Sequence, residues 1–116
     1  MDTVNKFLRG TLKQHKYALD GSIMIQDIRP RVKCKDGFKI SIQASEGHYC
    51  SPSVDGDVIY NEVELGYPNM EDELIAEYAE DPDKLTDTVY GWVPVDIVNK
   101  LIEKHGGIVE GNEEET

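Results

Sequence analysis

The 116-residue sequence is short of cysteine, short of basic residues in its second half, and without a long apolar run. No stretch approaches the roughly 20 consecutive apolar residues of a membrane span. The opening MDTVNKFLRG has no apolar core of a signal peptide, so a cytoplasmic protein without membrane contact is expected. Two cysteines, Cys34 and Cys50, do not make a disulfide framework and are expected as thiols. There is no CxxC or HxxxH spacing, no phosphate loop, no dinucleotide fingerprint and no internal repeat, and neither metal nor cofactor is expected.

Basic residues are missing from one half only. Residues 1–50 hold nine Lys and Arg against five Asp and Glu, whereas residues 51–116 hold three against eighteen. Phosphate contacts need Lys and Arg, so the second half is not expected to touch nucleic acid directly. An acidic face can instead attract a basic protein, including one that itself binds nucleic acid.

What is present is centred on residues 30–45, PRVKCKDGFKISIQAS. Phe38, Ile40, Ile42 and Ala44 alternate with Lys39, Ser41, Gln43 and Ser45, the pattern of a strand with one buried face. A two-residue Asp36-Gly37 loop would set Cys34 opposite Lys39 and mix the faces. A three-residue loop with Gly37 left-handed pairs Cys34 with Phe38 and Val32 with Ile40, which keeps one face apolar.

The rest of the chain is read around that hairpin. Residues 3–17 are expected as a helix, with Val4, Phe7, Leu8 and Leu12 on its stripe, Asp2 or Thr3 as N-cap, and Gly10 a weak point. Asp20-Gly21 marks a turn, and Ser22 to Arg29 reads as a strand ended by Pro30. Glu46 to Asp57 is a loop of about a dozen residues, a length often tied to function. Val58 to Tyr67 is expected as a strand with Ile59, Val63, Leu65 and Tyr67 on one face. Asn69 is expected to cap a helix from Met70 to Ala79, and Thr88 to Val93 forms the last strand. Pro94 opens a final helix striped by Val98, Leu101, Ile102 and His105 and stopped by Gly106-Gly107. The order α-β-β-β-β-α-β-α gives an α+β domain over residues 1–108: a mainly antiparallel twisted sheet of four to five strands with helices on one face. Residues 109–116 are expected to be a disordered acidic tail.

Two candidate sites follow. Glu62 and Glu64 on a strand, with Glu71, Asp72, Glu73, Glu77, Glu80, Asp81, Asp83 and Asp87 against Lys84 alone, are expected to form a continuous negative surface. It would bind a protein partner with a basic surface, as carboxylates on a rigid frame imitate a phosphate backbone. The alternative is a small enzyme or metal protein centred on His48, Tyr49 and Cys50. Zinc needs about four ligands and this segment offers two. A Cys-His nucleophile needs an orienting group and an oxyanion hole besides. Asp55-Gly56-Asp57 lacks the spaced ligands of a calcium loop and reads as a turn. The basic residues Arg29, Arg31, Lys33, Lys35 and Lys39 read as a solvated strand face.

Several stretches resemble a family of short, uncharacterised proteins encoded in phage and prophage genomes. They are Leu8-Arg9-Gly10-Thr11-Leu12, Ile28-Arg29-Pro30-Arg31, Ser41-Ile42-Gln43-Ala44-Ser45, His48-Tyr49-Cys50-Ser51-Pro52, Val89-Tyr90-Gly91-Trp92-Val93-Pro94 and Lys104-His105-Gly106-Gly107-Ile108. The resemblance spans most of residues 7–108. It implies a phage-derived setting and no catalytic residue, and several phage inhibitors of host defence are small and acidic. The expectation is therefore a non-enzymatic binding protein acting on a basic host protein, with no catalytic residue; its oligomeric state, a homodimer included, is left open.

Overall fold

A computed structural model describes residues 2–11, 15–17, 23–25, 29–54, 56 and 58–109, with backbone alone at 15–17 and 23–25. The expected stripe position Leu12, the Asp20-Gly21 turn, residues 26–28, the Asp55 and Asp57 of the loop, and the tail from Glu110 lie outside the described residues.

The first helix, α1 (Thr3–Gly10), starts where Asp2 accepts the Asn5 amide at 3.0 Å. It ends seven residues before the expected Tyr17. The Thr11 amide and hydroxyl take the Leu8 and Phe7 carbonyls, and the Arg29 guanidinium also donates to Leu8, so the last turn is closed from outside the helix. Residues expected to continue it form β1 (His15–Tyr17), paired antiparallel with β2 (Ile23–Ile25) in a separate ribbon.

The main sheet is four antiparallel, twisted strands in the order β3 (Val32–Lys33), β4 (Lys39–Gln43), β5 (Glu62–Gly66), β6 (Val89–Pro94). The β3–β4 hairpin takes the three-residue loop: Val32 pairs with Ile40, the Cys34 amide donates to Phe38, and Gly37 sits at φ +97. Val32, Ile40, Ile42, Val63, Leu65, Tyr90 and Val93 all face one way and are buried. They form one core with Val4 and Leu8 of α1 and with Val98, Leu101 and Ile102 of α2 (Val95–Lys104). Two helices thus flank the sheet, and the expected α+β class is the observed one. Among the described residues no helix is long and apolar enough to cross a membrane.

Three side-chain amides stand in for strand neighbours. Asn5 brackets the Tyr60 backbone, accepting its N–H at 2.8 Å and donating to its carbonyl at 3.0 Å. Gln43 does the same for Arg29, beside Pro30, which has no amide hydrogen to offer. Gln43 and Ser45 are consequently buried, although alternation places them on the wet face. Asn69 brackets the hairpin tip through Lys39 N and Gly37 O.

That last contact explains a correction. With its side chain committed to the hairpin, Asn69 cannot cap a helix, and Met70 to Ala79 holds only a 3-10 turn, Ala76–Tyr78. Ala79 then bridges to Tyr90, and the Glu80 amide donates to Val89, so the segment must run extended along the β6 edge. The expected strand from Val58 is also shorter. Ile59 is exposed and Tyr60 buried, its hydroxyl on Val54 O at 2.6 Å, because Asn5 holds that backbone before β5 begins.

Candidate binding face

The outward side of the sheet carries what the core excludes. On β5, Val63 and Leu65 point in, leaving Glu62 and Glu64 outward and half-buried. Across on β6 the register slips: Val63 pairs with Val93 and Leu65 with Tyr90, so Glu64 faces two residues, Gly91 and Trp92. This is a β-bulge, which re-aims a side chain. Trp92 adopts φ +50, a left-handed conformation that bulky residues rarely take and that costs on the order of 1–3 kcal/mol. Its amide turns out of the ladder to donate to Tyr49 O at 3.0 Å.

The 46–54 segment is what Trp92 meets there. Ser51 bridges Glu62, and Glu64 Oε1 accepts the Tyr49 amide at 2.9 Å. The Tyr49 ring lies over Gly91, where a Cβ would stand 3.4 Å from Tyr49 Cβ, and it stacks on Trp92 with centroids 4.8 Å apart. Both aromatic rings remain about half exposed, at 46% and 51%. Tyr49, Tyr78, Glu80, Val89, Gly91 and Trp92 line a groove of about 380 Å³. A larger hollow, about 970 Å³ between α1 and α2, is lined by Lys6 and Lys100 as well as Asp96 and Glu103, and holds none of the expected site residues.

Nine of the ten expected acidic residues are at least partly exposed: Glu62, Glu64, Glu71, Glu73, Glu77, Glu80, Asp81, Asp83 and Asp87. Among the described residues none of the nine joins an ion pair. Asp81 is partly occupied as a turn cap, accepting the Asp83 amide. Asp72 does not belong to that surface. It is 6% exposed and accepts from His105 Nε2 at 2.8 Å, Lys104 Nζ at 3.1 Å and the Leu74 amide at 2.9 Å. His105 Nδ1 meets Asp36 at 2.6 Å, and the ring stacks on Phe38 with centroids 4.0 Å apart. Burial opposes ionisation of Asp72, but the Leu74 amide, His105 and Lys104 outweigh it and hold its carboxyl below the usual range. The His105 hydrogen bond holds Asp36 low as well. The node ties the hairpin tip, the 70s segment and the end of α2 together, and its role is structural.

The alternative site has a different chemistry from the one its spacing suggests. His48 Nδ1 lies 2.6 Å from Ser45 Oγ, and the buried Cys50 thiol donates to Ser45 O at 3.2 Å. Among the described residues no hydrogen bond joins the His48 ring to the Cys50 sulfur. Burial pushes the Cys50 thiol up, away from the thiolate that nucleophilic chemistry requires. Among the described residues no three His, Cys, Asp or Glu are placed to hold a metal ion. Tyr49 alone of the three belongs to the exposed face.

Arg29 does not belong to the expected solvated basic face, whereas Arg31 stays exposed. Arg29 is buried and donates to Ala44 O at 2.7 Å, and Arg31 reaches Tyr67 O at 2.7 Å. Sequence reasoning missed the Tyr49–Trp92 pair. Its signal was Gly91 inside a strand pattern, which marks a bulge or a close backbone approach.

Among the described residues, the fold and face make an α+β domain with exposed carboxylates and an exposed, stacked aromatic pair. No protein-family model, curated protein or solved structure matches the chain.

Proposed function

We propose that this chain is a non-enzymatic binding protein that presents its acidic surface to a basic protein partner. The reading follows the resemblance to phage-encoded proteins: a cytoplasmic setting, and a host nucleic-acid-binding or defence protein held or inhibited. One observation carries it. Nine carboxylates of residues 62–87 stay at least partly exposed and, among the described residues, without an ion-pair partner, against the exposed Lys84 in the same stretch. A surface meant only to solubilise would satisfy the same charge count, so the distinction is made by binding. Immobilised protein should retain a host protein of basic surface at low salt and release it as salt rises, because screening acts within about 8 Å at physiological ionic strength. Retention that is indifferent to salt, or of acidic proteins, would remove the acidic surface from the account. His48 and Cys50 have no part in this reading.

A further inference from the structure

We propose that the groove between Tyr49, Tyr78 and Trp92 is a subsite for one arginine side chain of the basic partner. The proposal rests on the reading above and deepens it: the acidic surface draws the partner in, and the groove anchors it.

The chain strains its backbone to build the groove. Trp92 is held at φ +50 on a bulge, and its amide is turned onto the Tyr49 carbonyl, which locks the two rings together. Gly91 has no side chain, so the Tyr49 ring can settle over the strand. A ring buried for stability would point inward, like Tyr90 next to it. These rings are turned outward instead, and an electron-rich aromatic face attracts cations.

Charge selects the occupant. Glu80 lines the groove and is exposed; Glu64, which is not part of the lining, accepts the Tyr49 amide from the neighbouring strand. Neither forms an ion pair among the described residues. An apolar occupant would leave the Glu80 carboxylate beside it partly desolvated and unpaired. A planar guanidinium satisfies both features, stacking flat on the indole while its N–H groups reach a carboxylate. An ammonium is a compact, strongly hydrated charge without the flat face.

The chain's single tryptophan makes the test direct, since its indole N–H is the one Trp side-chain signal in a proton–nitrogen NMR spectrum. Titration with N-acetyl-arginine methylamide should move that signal saturably, with a Kd on the order of millimolar. The citrulline derivative, equal in shape and uncharged, should bind at least about tenfold more weakly. The lysine derivative should bind more weakly than arginine, and Glu80→Gln should weaken arginine binding about three- to tenfold. Trp92→Asn, which tolerates the left-handed backbone, should keep the fold by circular dichroism. It should also abolish the shift that arginine produces at the Tyr49 amide in wild type. No saturable shift with arginine, an equal response to citrulline, or an equal response to lysine each overturns the assignment. Asp96→Asn, exposed on α2 and outside both the groove and the acidic stretch, should leave the arginine Kd within about twofold. The two readings therefore fail separately. Arginine binding without any basic partner sinks the proposed function, and partner binding without arginine binding sinks the subsite.

Discussion

Asp72→Ala should be among the most damaging single changes to a charged residue in this chain. The side chain gives up three hydrogen bonds, and they are not equal. Lys104 is 46% exposed and regains water, so its pair is worth under about 1 kcal/mol. The half-buried Leu74 amide also has access to solvent. His105 does not: its side chain is 10% exposed, and losing Asp72 strands a buried nitrogen at a penalty of about 1–3 kcal/mol. The total is about 3 kcal/mol, a fall in Tm of roughly 12 °C for a domain of this size. Urea denaturation followed by circular dichroism measures it. Asp36→Ala should cost distinctly less, because the Asp36 carboxylate is half exposed and water can replace it on His105. The node also sets an acid limit. Asp72 and Asp36 have folded-state pKa values below their unfolded ones. Their stabilisation is therefore full above about pH 4 and is lost as pH falls through the lower folded-state values. The wild type should lose more stability below pH about 4 than Asp72→Ala does. A loss under about 1 kcal/mol for Asp72→Ala, or equal losses for the two variants, would refute the claim that a buried His105 nitrogen depends on Asp72.

Three further outcomes are expected. Gly106→Ala should destabilise by about 1–3 kcal/mol in thermal melts, since Gly106 sits at φ +94 with a Cβ position 3.0 Å from Lys35 Cβ; Gly47→Ala, with nothing within 4 Å and no positive φ, is the matched control. Burial, with the Asp36 charge second, pushes the Cys34 thiol up to about 11, and burial raises Cys50 too, so a thiol reagent at mildly alkaline pH should label neither until the protein is unfolded. Asn5→Ala should cost roughly 2–4 kcal/mol in urea denaturation by stripping partners from both backbone groups of Tyr60, whereas the exposed Lys6→Ala should stay within about 0.5 kcal/mol.

The hairpin was legible in the sequence because only one register kept Cys34, Phe38, Val32 and Ile40 on one face. The final helix was legible for the same reason: Val98, Leu101, Ile102 and His105 are all buried as their spacing requires. What failed was local reading where distant side chains intervene. Asn69 has the chemistry of a helix cap, but a hairpin tip thirty residues away claims it. The first helix stops because Arg29 and Thr11 complete its carbonyls, and periodicity holds no trace of Arg29. Of the expected acidic face, Asp72 was unreadable as an exception, since only the fold brings it to His105 across thirty-three positions. The aromatic pair depends on a register slip opposite Glu64, and alternation patterns do not encode which strand takes the extra residue.

The central claim is that exposed carboxylates of residues 62–87 steer a basic partner. It is tested most directly by the association rate of a purified partner with wild type and with Glu73→Lys/Glu77→Lys/Asp81→Lys, measured by stopped flow across a salt series. The account predicts a slower on-rate for the variant, a dissociation rate changed little, stability within about 0.5 kcal/mol at each of the exposed Glu73 and Glu77 with a larger loss at the turn cap Asp81, and a wild-type rate that falls toward the variant's as salt rises. Equal on-rates at low salt would contradict it and leave the acidic surface a solubilising one.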